Sequence, residues 1–95
     1  MELSFDNRDG QIWLNGSLVD WRQAKTHVLD HGLHYGGTIF EGIRCYQGKI
    51  FLLSEHIDRF FYSADKLGLH INFSKDELIS ACKEQVSINN IDWND

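Results

Sequence analysis

The side chains able to do chemistry gather between His27 and Arg59. His27, His31 and His34 fall at i, i+4 and i+7, which on a helix would align them as metal ligands. Thr26-His27-Val28 is strand-like, however, Gly32 interrupts the run, and no carboxylate or cysteine offers an obvious fourth ligand. We therefore expect no metal, and histidines that bond backbone instead. Gly36-Gly37-Thr38 could hold a phosphate on backbone N–H groups, yet it matches neither the Walker pattern nor the dinucleotide fingerprint, and a tight turn is the simpler account. Glu41 and Arg44, three apart, are expected to form an ion pair that fixes their own loop. A proton-transfer role for Glu41 would need a partner that the sequence does not identify. Arg59 has two readings: a solvated arginine paired with Glu55 at i, i+4, or an anion site whose planar fork suits phosphate. Tyr35 and Phe40 read first as core, the usual place of an aromatic pair in a small domain, and their glycine neighbours raise the case for pocket lining. No nucleophile elbow is present, and none of Lys25, Lys49, Lys66, Lys75 and Lys83 lies in the apolar setting that Schiff-base chemistry needs. On its own residues the chain offers no catalytic group.

The elements that must position these residues are mostly well marked. Gln11-Ile12-Trp13-Leu14 and Ser17-Leu18-Val19-Asp20-Trp21 flank Asn15-Gly16, the pattern of a hairpin with a tight primed turn. Thr26 to Leu29 has strand character, and Tyr35 to Glu41 reads as a short helix or turn. Ile43 to Tyr46 and Lys49 to Leu53 flank Gln47-Gly48 as a second hairpin. A first helix is expected to begin at Ser54 as N-cap with Glu55 in its first turn. Ile57, Phe60, Phe61, Ala64 and Leu67 make its apolar stripe, and Gly68 sits at the position of a left-handed cap. A second helix opens on the capping box of Ser74 and Glu77, buries Leu78, Ile79, Cys82 and Val86, and ends at Asn89-Asn90. Strands followed by helices imply an α+β domain: a mostly antiparallel sheet built from hairpins, with two amphipathic helices on one face.

Ninety-five residues make one small domain, spanning 1–95. Apolar residues at 42% and aromatics at 13% argue for a folded core and against disorder. A net charge of −5 speaks against a nucleic-acid partner. No apolar run approaches the ~20 residues of a membrane helix. The acidic start, Met1 to Asp6, is not a signal peptide. Cys45 and Cys82 follow no metal or redox spacing and read as buried thiols, which implies a cytoplasmic setting. The absence of proline and the ending Ile91-Asp92-Trp93-Asn94-Asp95 suggest a piece of something longer.

The run His34-Tyr35-Gly36-Gly37-Thr38-Ile39-Phe40-Glu41-Gly42-Ile43-Arg44-Cys45-Tyr46 resembles the N-terminal domain of branched-chain amino acid aminotransferases. Ile12 to Gly16, Trp21, Ala24-Lys25, His27-Val28 and Glu55-His56-Ile57-Asp58-Arg59-Phe60 also fit that family, so the resemblance runs from about Ile12 to Trp93. It implies an enzyme that uses pyridoxal 5′-phosphate to move an amino group between leucine, isoleucine or valine and 2-oxoglutarate. It implies that Arg59 contacts the cofactor phosphate, which reverses the preference for the solvated reading. It implies that Tyr35 and Phe40 line the pocket for the branched side chain and that Gly42 leaves room beside the substrate. It also implies a homo-oligomer in which Tyr35 serves a neighbouring subunit. In that family the catalytic lysine, the acid for the pyridine nitrogen and most of the phosphate cup lie in a second, larger domain absent from these residues. The chain alone is therefore expected to be inactive. The competing reading is a non-enzymatic α+β module that binds a protein partner through the Tyr35–Phe40 surface.

Overall fold

The computed structural model describes residues 8–29 and 38–89. Strands β1 (Gln11–Leu14) and β2 (Ser17–Asp20) pair antiparallel, with Ile12 opposite Val19 and Trp13 opposite Leu18. The turn between them forms as its residues require. Asn15 at φ 52° and Gly16 at φ 96° both take the positive φ of a primed turn, whose twist matches that of the strands. A 3-10 turn follows at Trp21–Gln23, and the Trp21 N–H donates to the Gly10 carbonyl at 2.9 Å, extending the ladder.

The second hairpin is shorter than its sequence suggests. Strands β3 (Cys45–Tyr46) and β4 (Lys49–Ile50) pair around Gln47 and Gly48, again both at positive φ, and the Phe51 N–H adds one further bond to the Arg44 carbonyl at 2.8 Å. The two hairpins are separate two-stranded sheets, so the architecture is α+β with antiparallel pairing inside each hairpin. The ladder stops because Leu52, at φ 52°, swings the chain straight into a helix.

That helix, α1 (Leu53–Lys66), begins two residues earlier than Ser54 would allow as a cap. Leu52 occupies the cap position in a left-handed conformation with no side-chain bond, and Ser54 already lies inside the first turn. Glu55 keeps its place in that turn. The C-terminal end follows the sequence closely. Gly68 at φ 69° donates to the Asp65 carbonyl at 3.1 Å, and the Leu69 N–H donates to the Ala64 carbonyl at 2.8 Å, the bond pair of a Schellman motif. Helix α2 (Lys75–Ile88) opens on the expected capping box: the Glu77 N–H donates to Ser74 Oγ at 3.1 Å and the Ser74 N–H to Glu77 Oε1 at 3.0 Å.

The core is small. Among the described residues Leu53, Ile57, Ala64 and Ala81 are buried, while Phe60, Phe61, Leu78, Ile79, Cys82 and Val86 are half-buried and Leu67 is exposed. The apolar stripes turn inward as their spacing requires, but a two-helix layer with short hairpins cannot cover them fully. Two ties join the first hairpin to residues flanking α2. Trp13 meets Phe73 edge-on at 4.9 Å. The Asn89 side chain pairs with the Gln11 backbone, accepting from its N–H and donating to its carbonyl, each at 2.8 Å. Gly10 takes φ 134°, a conformation that side chains rarely adopt, and a Cβ there would come within 2.6 Å of Asn89 Oδ1.

Two local expectations change. Thr26 to Leu29 is not a strand; its residues are exposed, and the Leu29 N–H turns back to His27 Nδ1 at 3.0 Å. No strand among the described residues pairs with it, and strand propensity without a ladder leaves backbone groups unsatisfied. The short helix or turn expected over 35–41 falls partly outside the described residues; from Thr38 to Arg44 the chain has no regular structure. No described helix is long and apolar enough to cross a membrane.

The two serines give opposite expectations. Ser74→Ala should cost about 1 kcal/mol, because it removes a bond at a true cap. Ser54→Ala should change the urea midpoint little, and a loss as large as that at Ser74 would mean that Ser54 caps α1 after all.

Candidate functional site

The strongest polar constellation links the irregular loop at Phe40–Gly42 to the exposed side of α1. Arg59 reaches Glu41 side-on. Its Nε donates to Oε2 at 2.9 Å and its Nη2 donates to Oε1 at 2.7 Å. His56, one helical turn before Arg59, places Nδ1 2.7 Å from the same Oε1. A carboxylate only accepts, so Nδ1 carries the proton in this contact. The 3.4 Å approach of Arg59 Nη2 to His56 Nδ1 is then a meeting of two donors, not a further hydrogen bond. The carboxylate therefore collects three charge-assisted or polar bonds from one helix face.

Exposure divides this cluster. The side chains of Glu41 and His56 keep only 10% and 17% of their accessible surface, whereas Arg59 keeps 64%. The hydrogen bonds from Arg59, and after them those from His56, hold the Glu41 carboxyl down from its ordinary 4.5 to about 2. The acid is ionised at any neutral pH and cannot serve there as a proton acceptor. Glu41 in turn raises the Arg59 guanidinium. Among the described residues Nη1 of Arg59 makes no hydrogen bond. The outer fork, formed by Nη1 and the second N–H of Nη2, stays open toward solvent.

Both local pairings expected from sequence spacing are replaced. Arg44 does not pair with Glu41; its Nη1 donates to the Tyr46 hydroxyl at 3.2 Å. Arg59 pairs with Glu41, not Glu55. In the Arg59 case the residue four positions away loses to a contact spanning 18 residues, because the loop delivers its carboxylate to the helix face at bidentate geometry. His56 was missed as part of the cluster. The available signal was its i, i+3 relation to Arg59, which puts both on one helix face.

Phe40 is 88% exposed. A Cβ at Gly42 would meet nothing within 4 Å, so packing inside the described chain does not explain a glycine there. Tyr35, Gly36, Gly37, His31 and His34 lie outside the described residues. Among the described residues no group of three metal-ligating side chains gathers. Cys45 and Cys82 form no disulfide and are half-buried, and burial pushes the Cys82 thiol up, away from reactivity. All five lysines are at least partly exposed; Lys75 bridges to Asp58 at 2.8 Å, and Lys66 lies over the Tyr62 ring.

A family model, Amino-transferase class IV, matches residues 38–92, from the loop that bears Phe40 and Glu41 through both helices. The chain belongs to the class IV aminotransferase family. Within it, the chain is 48% identical to the branched-chain-amino-acid aminotransferase of Pseudomonas aeruginosa over 94 aligned residues, covering 95% of this chain and 31% of that protein. The structure of the Escherichia coli branched-chain amino acid aminotransferase matches with a TM-score of 0.84 at 40% identity, covering 90% of this chain and 30% of that one. The crystal structure of the T.th. branched-chain amino acid aminotransferase with pyridoxamine 5′-phosphate matches with a TM-score of 0.82 at 47% identity, covering 87% of this chain and 28% of that one. The chain thus spans about 30% of the length of the proteins it matches.

Cofactors of the pyridoxal phosphate type join a protein through a phosphate and through a lysine amine. The described residues fit the first contact and not the second. The open fork of Arg59 has the planar shape and the charge that a phosphate ester takes, while no lysine among them has the apolar surroundings that favour a neutral amine.

The Glu41 cluster has a clear signature in acid. A carboxyl held low in the folded state stabilises the fold above its unfolded value, near 4.5, and loses that contribution as pH falls toward 2. Carboxyl NMR should find Glu41 still ionised at about pH 3.5, between those two values. Arg59→Ala should return its titration toward the ordinary range, and an unchanged titration in that variant would dismiss Arg59 as the cause.

Proposed function

We propose that residues 1–95 form the small N-terminal domain of a branched-chain amino acid aminotransferase that transfers the amino group between leucine, isoleucine or valine and 2-oxoglutarate. Likeness to the Pseudomonas and Escherichia coli enzymes across nine-tenths of the chain carries this reading. When bound, pyridoxal 5′-phosphate supplies the electron sink for amino-group transfer. The part proposed for this chain is to bind and to shape.

Arg59 supplies one phosphate contact through its open fork. Phe40 and Tyr35 supply apolar wall for the branched side chain, and Gly42 leaves room beside the substrate. The exposure of Phe40 supports this division of labour: an aromatic ring that its own domain leaves bare is suited to a pocket whose other walls come from elsewhere. Val28 and Leu29, 67% and 75% exposed, add apolar surface for a second, larger domain and a neighbouring subunit to cover. The empty space around Gly42 agrees, since only an outside group would penalise a side chain there. Two cysteines that form no disulfide support a cytoplasmic setting.

None of the five lysines, all among the described residues, offers a suitable amine. Mixed with pyridoxal 5′-phosphate, leucine and 2-oxoglutarate, the chain alone should yield no glutamate above the blank; sustained turnover would contradict the reading. Weak binding of the cofactor by the wild-type chain should vanish in Arg59→Ala, and equal affinity would remove Arg59 from the site. Gly42→Ala should leave the stability within about 0.5 kcal/mol of wild type, as expected for a surface change that touches nothing.

A further inference from the structure

We propose that Glu41 is the positioning residue for Arg59, holding the inner fork of the guanidinium so that the outer fork is presented to a phosphate ester. The inference deepens the function proposed above and rests on its assignment of Arg59 as a phosphate contact.

The geometry carries it. An arginine on the exposed side of a helix, with 64% of its side chain in water, ordinarily samples many rotamers. Here two bonds of 2.9 and 2.7 Å to one carboxylate fix the plane of the guanidinium. They use Nε and one N–H of Nη2 and leave the Nη1–Nη2 edge uncommitted among the described residues. Arginine can hold two planar anions at once, one on each edge, so Glu41 and a phosphate do not compete for the same donors. His56 bonds the same Glu41 oxygen at 2.7 Å and so steadies the carboxylate that steadies Arg59.

Glu41 does a second job by its place in the chain. It stands between Phe40 and Gly42, the two described positions proposed to face substrate. No regular structure holds that loop, and its carboxylate ties it to α1. One side chain therefore sets the spacing between the phosphate contact and the substrate wall. A proton-transfer role for the same carboxyl is unsuited to its depressed titration.

The test uses the 15N-labelled 95-residue chain, with pyridoxal 5′-phosphate and phosphate-free pyridoxal as probes. In wild type the Arg59 Nε–H should give one resonance protected from solvent exchange. That resonance should shift saturably with pyridoxal 5′-phosphate and not with pyridoxal. Glu41→Gln keeps size and shape but turns an amide N–H against the Arg59 donors. It should abolish the protection and cut the preference for the phosphorylated probe about tenfold, as rotamer freedom returns to the side chain. Glu41→Asp, one methylene too short to engage both donors, should do the same and decides the matter if the glutamine variant fails to fold. Glu41→Gln combined with Arg59→Ala should bind no more weakly than Arg59→Ala alone. Unchanged protection and preference in both Glu41 variants would overturn the positioning role while leaving Arg59 as a phosphate contact. A wild-type chain with no preference for the phosphorylated probe would overturn both.

Discussion

A carboxylate facing nitrogen donors on one helix face is the constraint around which the site is arranged. Glu41 can only accept, and α1 offers it two arginine donors and one histidine donor within hydrogen-bond reach. Satisfying that carboxylate fixes three things together: the plane of Arg59, the protonated nitrogen of His56 and the position of the Phe40–Gly42 loop. The cluster sits at the border of the fold, with the acid mostly covered and the guanidinium mostly in water. Electrostatic bonds to the acid are therefore screened less than those of an open surface pair, while the outer edge of the arginine stays accessible. A site that must be rigid yet reachable is served by that division.

The rest of the fold supplies the platform. Only Leu53 and Ile57 are large buried apolar side chains among the described residues, each worth about 1.5–3 kcal/mol of burial. With so little core, specific polar ties matter. The Asn89 side chain substitutes for a strand partner of Gln11, and Gln85 adds a bond to the same carbonyl at 2.9 Å. These contacts hold the first hairpin against α2 from the far end of the chain. Much apolar surface stays bare, Phe40, Val28 and Leu29 above all. Burial of that surface against further protein accords with a chain that spans about 30% of the length of its relatives.

Features governed by neighbouring residues were legible in the sequence. Asn15-Gly16 and Gln47-Gly48 specify their turns because positive φ is tolerated there, and Ser74 with Glu77 specifies a helix start through two reciprocal bonds. Gly68 closes α1 for the same local reason. Features that depend on distant partners were not legible. Spacing favoured Arg44 for Glu41 and Glu55 for Arg59, since residues three and four apart are neighbours on a helix. Neither pairing forms, because the 40–44 loop is not helical and a bidentate contact outweighs a single exposed pair. Ser54 failed as a cap because the hairpin delivers the chain reversal to Leu52, an outcome of β4 geometry that propensity does not register. The phosphate role proposed for Arg59 came from family likeness, and the open fork is the physical feature that would make such a role workable.

The pairing of Arg59 with the loop rather than with its own helix is tested most directly by double-mutant cycles on urea unfolding. One cycle joins Glu41→Gln with Arg59→Ala and the other joins Glu55→Gln with Arg59→Ala. Coupling in the first beyond the scatter of independent mutations, with none in the second, is the expected result. Additivity at Glu41 together with coupling at Glu55 would contradict it.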